Sequence, residues 1–259
     1  MDSISAPASI ACLIDLAESG LLPKEDWDGL DIRWGNAELM VELTKRIGLR
    51  QGIGDKVALG SYRLAELYGH PEYSMSVKKQ EIPAYDARGI QGIGLEYATC
   101  NRGGCHVKGY TIAVETLGNG GTRLDPREIK GKPAVVKAFQ DMTAAVDASG
   151  GCIFGTFGMV ADDFAAMLSA LTGIHYSPAD YVQAGERIWN LERQFNLKAG
   201  FTAKDDALPE RLIKSPIQTG PSKGLVSRVP EMLPEYYSVR GWSEEGVPSP
   251  EKLQELQLA

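Results

Sequence analysis

Apolar positions recur along most of this chain at the three- and four-residue spacing of a helix buried on one side. Ile10, Leu13, Ile14, Ala17 and Leu21 make the first such run. Asn36 stands as an N-cap before Leu39, Met40, Leu43 and Ile47, with Lys45, Arg46 and Arg50 placed to favour the negative end of the helix dipole. Val57, Leu64, Leu67 and Tyr68 predict one further helix, closed by Gly69 and by Pro71 beyond it. Ala134, Val135, Ala138, Phe139, Met142, Ala145 and Val146 predict a helix that turns this apolar face inward, and Gly150 and Gly151 stop it. Val160, Phe164, Met167, Leu168 and Leu171 form a one-sided stripe ended by Gly173. Ser177-Pro178-Ala179-Asp180 is a helix start, leading to Tyr181, Gly185, Ile188, Trp189, Glu192 and Phe195. A last short helix begins near Pro250.

Strand signals are thin. Met75–Val77 and Lys108–Val114 show some alternation, but neither carries a hairpin turn signal. Residues 200–247 are rich in Pro and Gly yet keep Leu208, Leu212, Ile213, Leu225, Met232, Leu233, Tyr236 and Tyr237, so they read as an ordered wrapping segment. The pattern predicts an all-α protein with long ordered loops. The helical spacing starts within ten residues of Met1, which leads to the expectation that the sequence is the remainder of a longer chain with an apolar first helix left exposed.

The 259 residues, 43% hydrophobic and 24% charged, are enough to bury a substantial core. A net charge of −7 argues against nucleic acid or an anionic membrane as the main partner. No apolar run is long enough to span a bilayer and no signal peptide is visible. Four cysteines in this length do not make a disulfide framework, and a reducing cytoplasm is the expected setting.

The candidate chemistry lies in the loops. Residues 147–152 join a carboxylate, Asp147, through Gly150 and Gly151 to a thiol, Cys152. Asp147 can accept N–H donors from a heterocycle, and a Cys152 thiolate is a natural ligand for a soft metal. The same residues also suit an ordinary helix C-cap followed by a small buried side chain. Residues 81–110 gather polar groups among glycines. There His106, with Lys108 two residues on and Arg102 four before, suits an electropositive pocket for an oxyanion or a metal-oxo group, or a satisfied core histidine. Cys100 and Cys105 with His106 fall short of a zinc site, which wants four ligands. Gly89, Gly92 and Gly94 lack the dinucleotide-binding order. No Walker, His-Glu-x-x-His or Gly-x-Ser-x-Gly motif is present, so kinase, metalloprotease and hydrolase chemistry have no support.

Long ordered stretches resemble the tungsten-containing aldehyde:ferredoxin oxidoreductases. These are the run from Pro83 to His106, Asp147-x-x-Gly-Gly-Cys152, the eleven residues from Glu186 to Asn196, Leu208-Pro-Glu-Arg-Leu212 and Tyr236-Tyr-Ser-Val-Arg-Gly-Trp242. The resemblance implies a β-rich N-terminal domain, outside this chain, that cradles a tungsten bis-pyranopterin, followed by two mostly helical domains. The chain then divides into 1–80, the helical part of the middle domain cut at its start, and 81–259, the C-terminal helical domain.

On that resemblance Asp147, Gly150, Gly151 and Cys152 match one of two pterin-binding loops, and Asp2 matches the tail of the other. Cys152 matches one ligand of a [4Fe-4S] cluster whose other three, a Cys-x2-Cys-x3-Cys run, lie outside the chain. His106 matches a histidine near the tungsten that hydrogen-bonds or transfers protons, and Lys108 a basic residue approaching the pterin. Gly151 stands where the family often has Leu. The implied reaction oxidises a small aldehyde and passes electrons to ferredoxin, in a homodimeric cytoplasmic enzyme. Two other readings stay open: the tungsten subunit of an aromatic acyl-CoA reductase, and a non-catalytic helical module.

Overall fold

A computed structural model describes residues 1–118, 121 and 123–259. The chain is predominantly helical, with one two-stranded sheet among the described residues. Internal contacts separate two compact units that interleave in sequence. The first comprises Met1–Ala84, Arg102–Cys105 and Pro209–Arg211; the second comprises Tyr85–Asn101, His106–Leu208 and Leu212–Ala259.

The first unit is built on α1 (Ser5–Glu18). Asp2 starts this helix: its Oδ1 accepts the backbone N–H of Ile4 at 2.9 Å and of Ser5 at 2.5 Å. Ile10, Leu13, Ile14 and Leu16 are buried, so the expectation of an exposed first helix is wrong. They pack in one core with residues of α2 (Ala37–Leu49), α3 (Ile53–Val57) and α4 (Ser61–Leu67). The Asn36 side chain caps α2 by accepting from the Leu39 N–H at 3.1 Å.

Two elements of this unit depart from the pattern. The single helix expected across Val57–Tyr68 is two, because Gly60 adopts φ +91° and the freed Ser61 N–H donates to Glu81 Oε1 at 2.7 Å. Residues near 76 do form a hairpin, β1 (Ser76–Val77) against β2 (Gln80–Glu81) in antiparallel register. Its turn is Lys78-Lys79, both at positive φ (50° and 65°), a conformation that usually calls on Asn or Gly and so leaves no signal in a lysine pair.

The second unit surrounds α5 (Gln91–Thr99), whose nine residues are all buried. A helix buried all round has no amphipathic period, which is why the stretch reads as a glycine loop. Glycine here serves packing: a side chain at Gly92 would meet the Glu115 carboxylate 2.6 Å away. The Lys108–Val114 segment is turns running into a π-helical turn (Ala113–Leu117), not a strand. α6 (Lys132–Ala148) packs against α5, α7 (Ala161–Thr172) lies on α8 (Pro178–Lys198), which runs along α6, and α10 (Val229–Arg240), reached through the short α9 (Glu210–Lys214), packs on both α5 and α6. The closing helix is α11 (Pro250–Glu255). Leu208, Leu212, Met232, Tyr236 and Tyr237 are buried, so the 200–247 segment is the ordered wrap that its anchors imply.

The interior of this unit is polar. Buried Arg240 reaches the Asp141 carboxylate and donates to Gln140 Oε1 at 2.6 Å; Tyr236 Oη donates to the same oxygen at 2.6 Å. Arg193 and Asp206, fully buried, pair at 2.8 Å, and Tyr237 Oη donates to Asp206 at 2.7 Å. Lys132 and Glu115 form a third buried pair. Such charges are tolerated inside only when each is met by an opposite charge and further hydrogen bonds.

As a result α6 buries only the end of its expected apolar face, Ala145 and Val146, and adds a polar one. Gln140, Asp141, Thr143 and Ala144 point inward, whereas Ala134 and Ala138 are exposed. In α7, Phe164 is buried, but Met167 and Leu171 are exposed, as is Val160 just before the helix.

α6 and α8 approach so closely that a side chain at Gly185 would collide with the Asp141 carbonyl oxygen. Overpacking of this kind costs roughly 1–3 kcal/mol or more. Gly185→Ala is therefore expected to lower the thermal midpoint clearly. Gly158→Ala, with nothing within 4 Å of the new carbon and φ −129°, should leave it within experimental error. Calorimetry of the two variants checks this, and equal midpoints would contradict the close approach.

Candidate functional site

The end of α6 builds the site. Its last turn closes with Gly151 N–H donating to Val146 O at 2.9 Å and Gly150 N–H to Asp147 O at 3.1 Å, the two bonds of a Schellman motif. Gly150 occupies the left-handed position that motif requires, with φ +77°. Gly151 is tight for another reason, since an added carbon would lie 2.9 Å from Val146 Cγ1 and 3.3 Å from Phe164 Cε1. The turn is fixed to α8 by a hydrogen bond between Ser149 Oγ and Tyr181 Oη at 2.9 Å. It leaves Asp147 on one side, half exposed, and the Cys152 thiol on the other, exposed. Cys152 borders a groove of about 320 Å³ lined by Gly150, Gly151, Met159, Phe164 and Leu168. The alternative of a small buried residue after a C-cap does not hold at Cys152.

Lys108 joins this turn. Its Nζ lies 2.8 Å from Asp147 Oδ2 and 3.9 Å from Glu192 Oε1 of α8. Burial alone would lower the Lys108 pKa; the Asp147 hydrogen bond and the Glu192 charge outweigh it and hold the ammonium above its ordinary value. A fixed cation next to a half-exposed carboxylate offers both a donor and an acceptor to a polar heterocycle.

His106, two residues before Lys108, sits in a triangle of rings. Its centroid is 5.6 Å from that of Tyr85 and 6.0 Å from that of Tyr110, the latter edge-on. The two phenol oxygens are 3.1 Å apart and hydrogen-bonded. Burial, followed by this bond, pushes the Tyr110 phenol up to about 12. Tyr110 also meets Phe157 edge-on at 6.1 Å, in the 3-10 turn Ile153–Phe157 that follows Cys152. An apolar cavity of about 300 Å³ lies beyond Tyr110, lined by Phe139, Met142, Ile153 and Met159.

The fold thus gathers Asp147, Gly150, Gly151, Cys152 and Lys108 at one place in the second unit, with His106 close by in sequence. Asp2 belongs to the first unit, where the N–H groups of Ser5 and Ile4 hold its carboxyl below the usual range. Sequence reasoning did not single out Tyr85, Tyr110 or Glu192 as site residues. Glu192 had a signal, lying on the same helix face as Gly185 and Trp189; the tyrosine pair had none, because residues 25 apart meet only through the fold.

An exposed thiol, a half-exposed carboxylate and a raised ammonium thus lie at one turn. Among the described residues no set of three or more His, Cys, Asp or Glu side chains is placed to hold a metal, so Cys152 offers a single bond. Asp147→Asn is expected to lower the Lys108 pKa, because burial then acts against less opposition. A raised lysine adds stability below its unfolded pKa that is lost as pH climbs through the folded one, so the variant should lose part of that stability at neutral pH. Titration of the lysine Cε signals by NMR checks the shift; an unmoved Lys108 would contradict the pairing.

A family model described as "Aldehyde ferredoxin oxidoreductase, domains 2 & 3" matches residues 1–258. The tungsten-containing aldehyde ferredoxin oxidoreductase of Thermococcus kodakarensis is 50% identical over 262 residues, covering 100% of this chain and 43% of that protein. The enzyme of the same description from Pyrococcus furiosus is 49% identical with the same coverage. The chain therefore spans less than half the length of these relatives. Among solved structures, the active-site complex BamBC of benzoyl coenzyme A reductase superposes with a TM-score of 0.75 at 23% identity, over 100% of this chain and 44% of that one, a likeness of fold. No described helix is long and apolar enough to cross a membrane.

Proposed function

The chain belongs to the aldehyde ferredoxin oxidoreductase family, and on that premise we propose that it supplies the two helical domains of an enzyme oxidising aldehydes to carboxylates. The two units correspond in this reading to those domains, completed by a portion equivalent to the remaining length of the relatives. The observation that carries the proposal is the Asp147–Cys152 turn, in which one Schellman motif presents a carboxylate and an exposed thiol on its two sides.

Asp147 and Lys108 would hold one side of a tungsten bis-pyranopterin through an acceptor and a donor, and Asp2 is a further candidate contact by its match to the family's other pterin loop. Gly150 and Gly151 would leave room for the ring system by keeping the turn free of side chains. Cys152 would give one thiolate to a [4Fe-4S] cluster whose other ligands come from the completing portion. When bound, these groups would supply the two-electron oxidation of the carbonyl carbon and the one-electron delivery to ferredoxin.

Conversion of an aldehyde and water to a carboxylate releases three protons with the two electrons. In this reading His106 would take one, since an imidazole changes charge near neutral pH. In this reading the enzyme works as a homodimer in a reducing cytoplasm.

Produced alone, the chain is expected to hold neither tungsten nor iron in stoichiometric amount. Co-produced with the preceding portion of the Thermococcus kodakarensis enzyme, it should carry about four irons per cluster, hold tungsten and reduce ferredoxin with an aldehyde. Metal analysis distinguishes the cases, and a fully loaded chain in isolation would overturn the shared site. In that assembly His106→Ala should lower kcat by about 10²–10⁴-fold, the range for losing a proton-transfer group, with tungsten retained. Unaltered turnover would remove His106 from the reaction.

A further inference from the structure

Tyr110 occupies a place that neither the turn chemistry nor the metal reading uses. Three rings, Tyr85, His106 and Tyr110, touch one another pairwise, at 5.6, 6.2 and 6.0 Å between centroids. Tyr85 enters from the segment before α5, where Tyr97 Oη donates to the Tyr85 carbonyl at 3.3 Å. His106 and Tyr110 come from the segment beyond α5. Gly109, between them, is a glycine because a side chain would run into the Glu96 carboxylate and Gln140.

The triangle is closed on one edge by the hydrogen bond between the two phenols at 3.1 Å. On its outer side the Tyr110 ring rests edge-on against Phe157 of the loop that follows Cys152. Tyr110 therefore touches both the imidazole and the thiol loop.

We propose that Tyr110 is a positioning residue for His106: its hydroxyl clasps Tyr85, and the closed triangle fixes the plane of the imidazole relative to the Cys152 loop. The inference rests on the reading of His106 as the proton-accepting group. An imidazole free to rotate about its side-chain bonds presents its nitrogen to the reacting centre only part of the time. An aromatic contact of this type biases a rotamer by several-fold. The hydroxyl bond adds direction, since it prevents Tyr85 from sliding along the imidazole face. The Phe157 contact ties the arrangement to the loop carrying the thiol, so ring and sulfur keep a constant separation within the unit.

The test uses the chain itself, with aromatic ¹³C labels on histidine and tyrosine. In Tyr110→Phe the ring remains and the clasp is lost. The order of the His106 imidazole should fall and the Tyr85 ring should flip about tenfold or more faster, with the backbone spectrum away from the triangle unchanged. Tyr85→Phe, which breaks the same bond from the other end, should loosen His106 equally and serves if the first variant folds poorly. Unchanged His106 order in both variants would overturn the proposal, as would a fall in thermal midpoint with no change at His106.

A second readout separates the proposal from the reading beneath it. In the assembled oxidoreductase, Tyr110→Phe should lower kcat by roughly tenfold with KM within about twofold, as expected for a misaligned group that does not bind substrate. A loosened His106 with unchanged kcat would leave the clasp standing and overturn the role given to His106.

Discussion

The close approach of α6 and α8 is the constraint on which the site depends. It is permitted by the missing side chain of Gly185 against the Asp141 carbonyl, and it holds α6 against α8. From the end of α6 the backbone leaves through a Schellman turn tied to α8 by Ser149 and Tyr181. Asp147, on the last turn of α6, and Cys152, just beyond it, inherit their positions from this packing. Glu192 of α8 then lies near enough to help hold Lys108. One helix–helix contact thus sets an acceptor, a donor and a thiol in a common frame.

Polarity in the second unit is distributed unusually. Its interior is occupied by paired charges, Arg240 with Asp141, Arg193 with Asp206 and Lys132 with Glu115, while Val160 just before α7, Met167 and Leu171 within it and Phe154 beside Cys152 face outward. Buried ion pairs of this kind contribute modest net stability and cost several kcal/mol when one partner is removed, so they specify one arrangement more than they strengthen it.

Much of the fold was legible in the sequence. The Asn36 cap, the Ser177-Pro178-Ala179-Asp180 start and the glycine stop after α6 act through bonds between near neighbours, and each is found where its residues put it. The limits follow from physics as well. α5 is buried on every side and so has no period to read. Lys78 and Lys79 adopt a turn that their chemistry does not announce. The inward face of α6 is polar because Arg240, 99 residues away in sequence, supplies the charge that Asp141 needs. Spacing identified Asp147, Gly150 and Cys152 as one local group, whereas the clasp of Tyr85 and Tyr110 depends on the tertiary fold alone.

The central claim is that the Cys152 sulfur bonds to iron while its turn holds the pterin. Its most direct test is the spectrum of the reduced cluster in the assembled enzyme with Cys152 replaced by Ala. Loss of the [4Fe-4S] signal by EPR, or its conversion to a three-iron species with tungsten retained, is the result expected. A cluster signal identical to that of the unaltered enzyme would place the sulfur away from the iron and contradict the account.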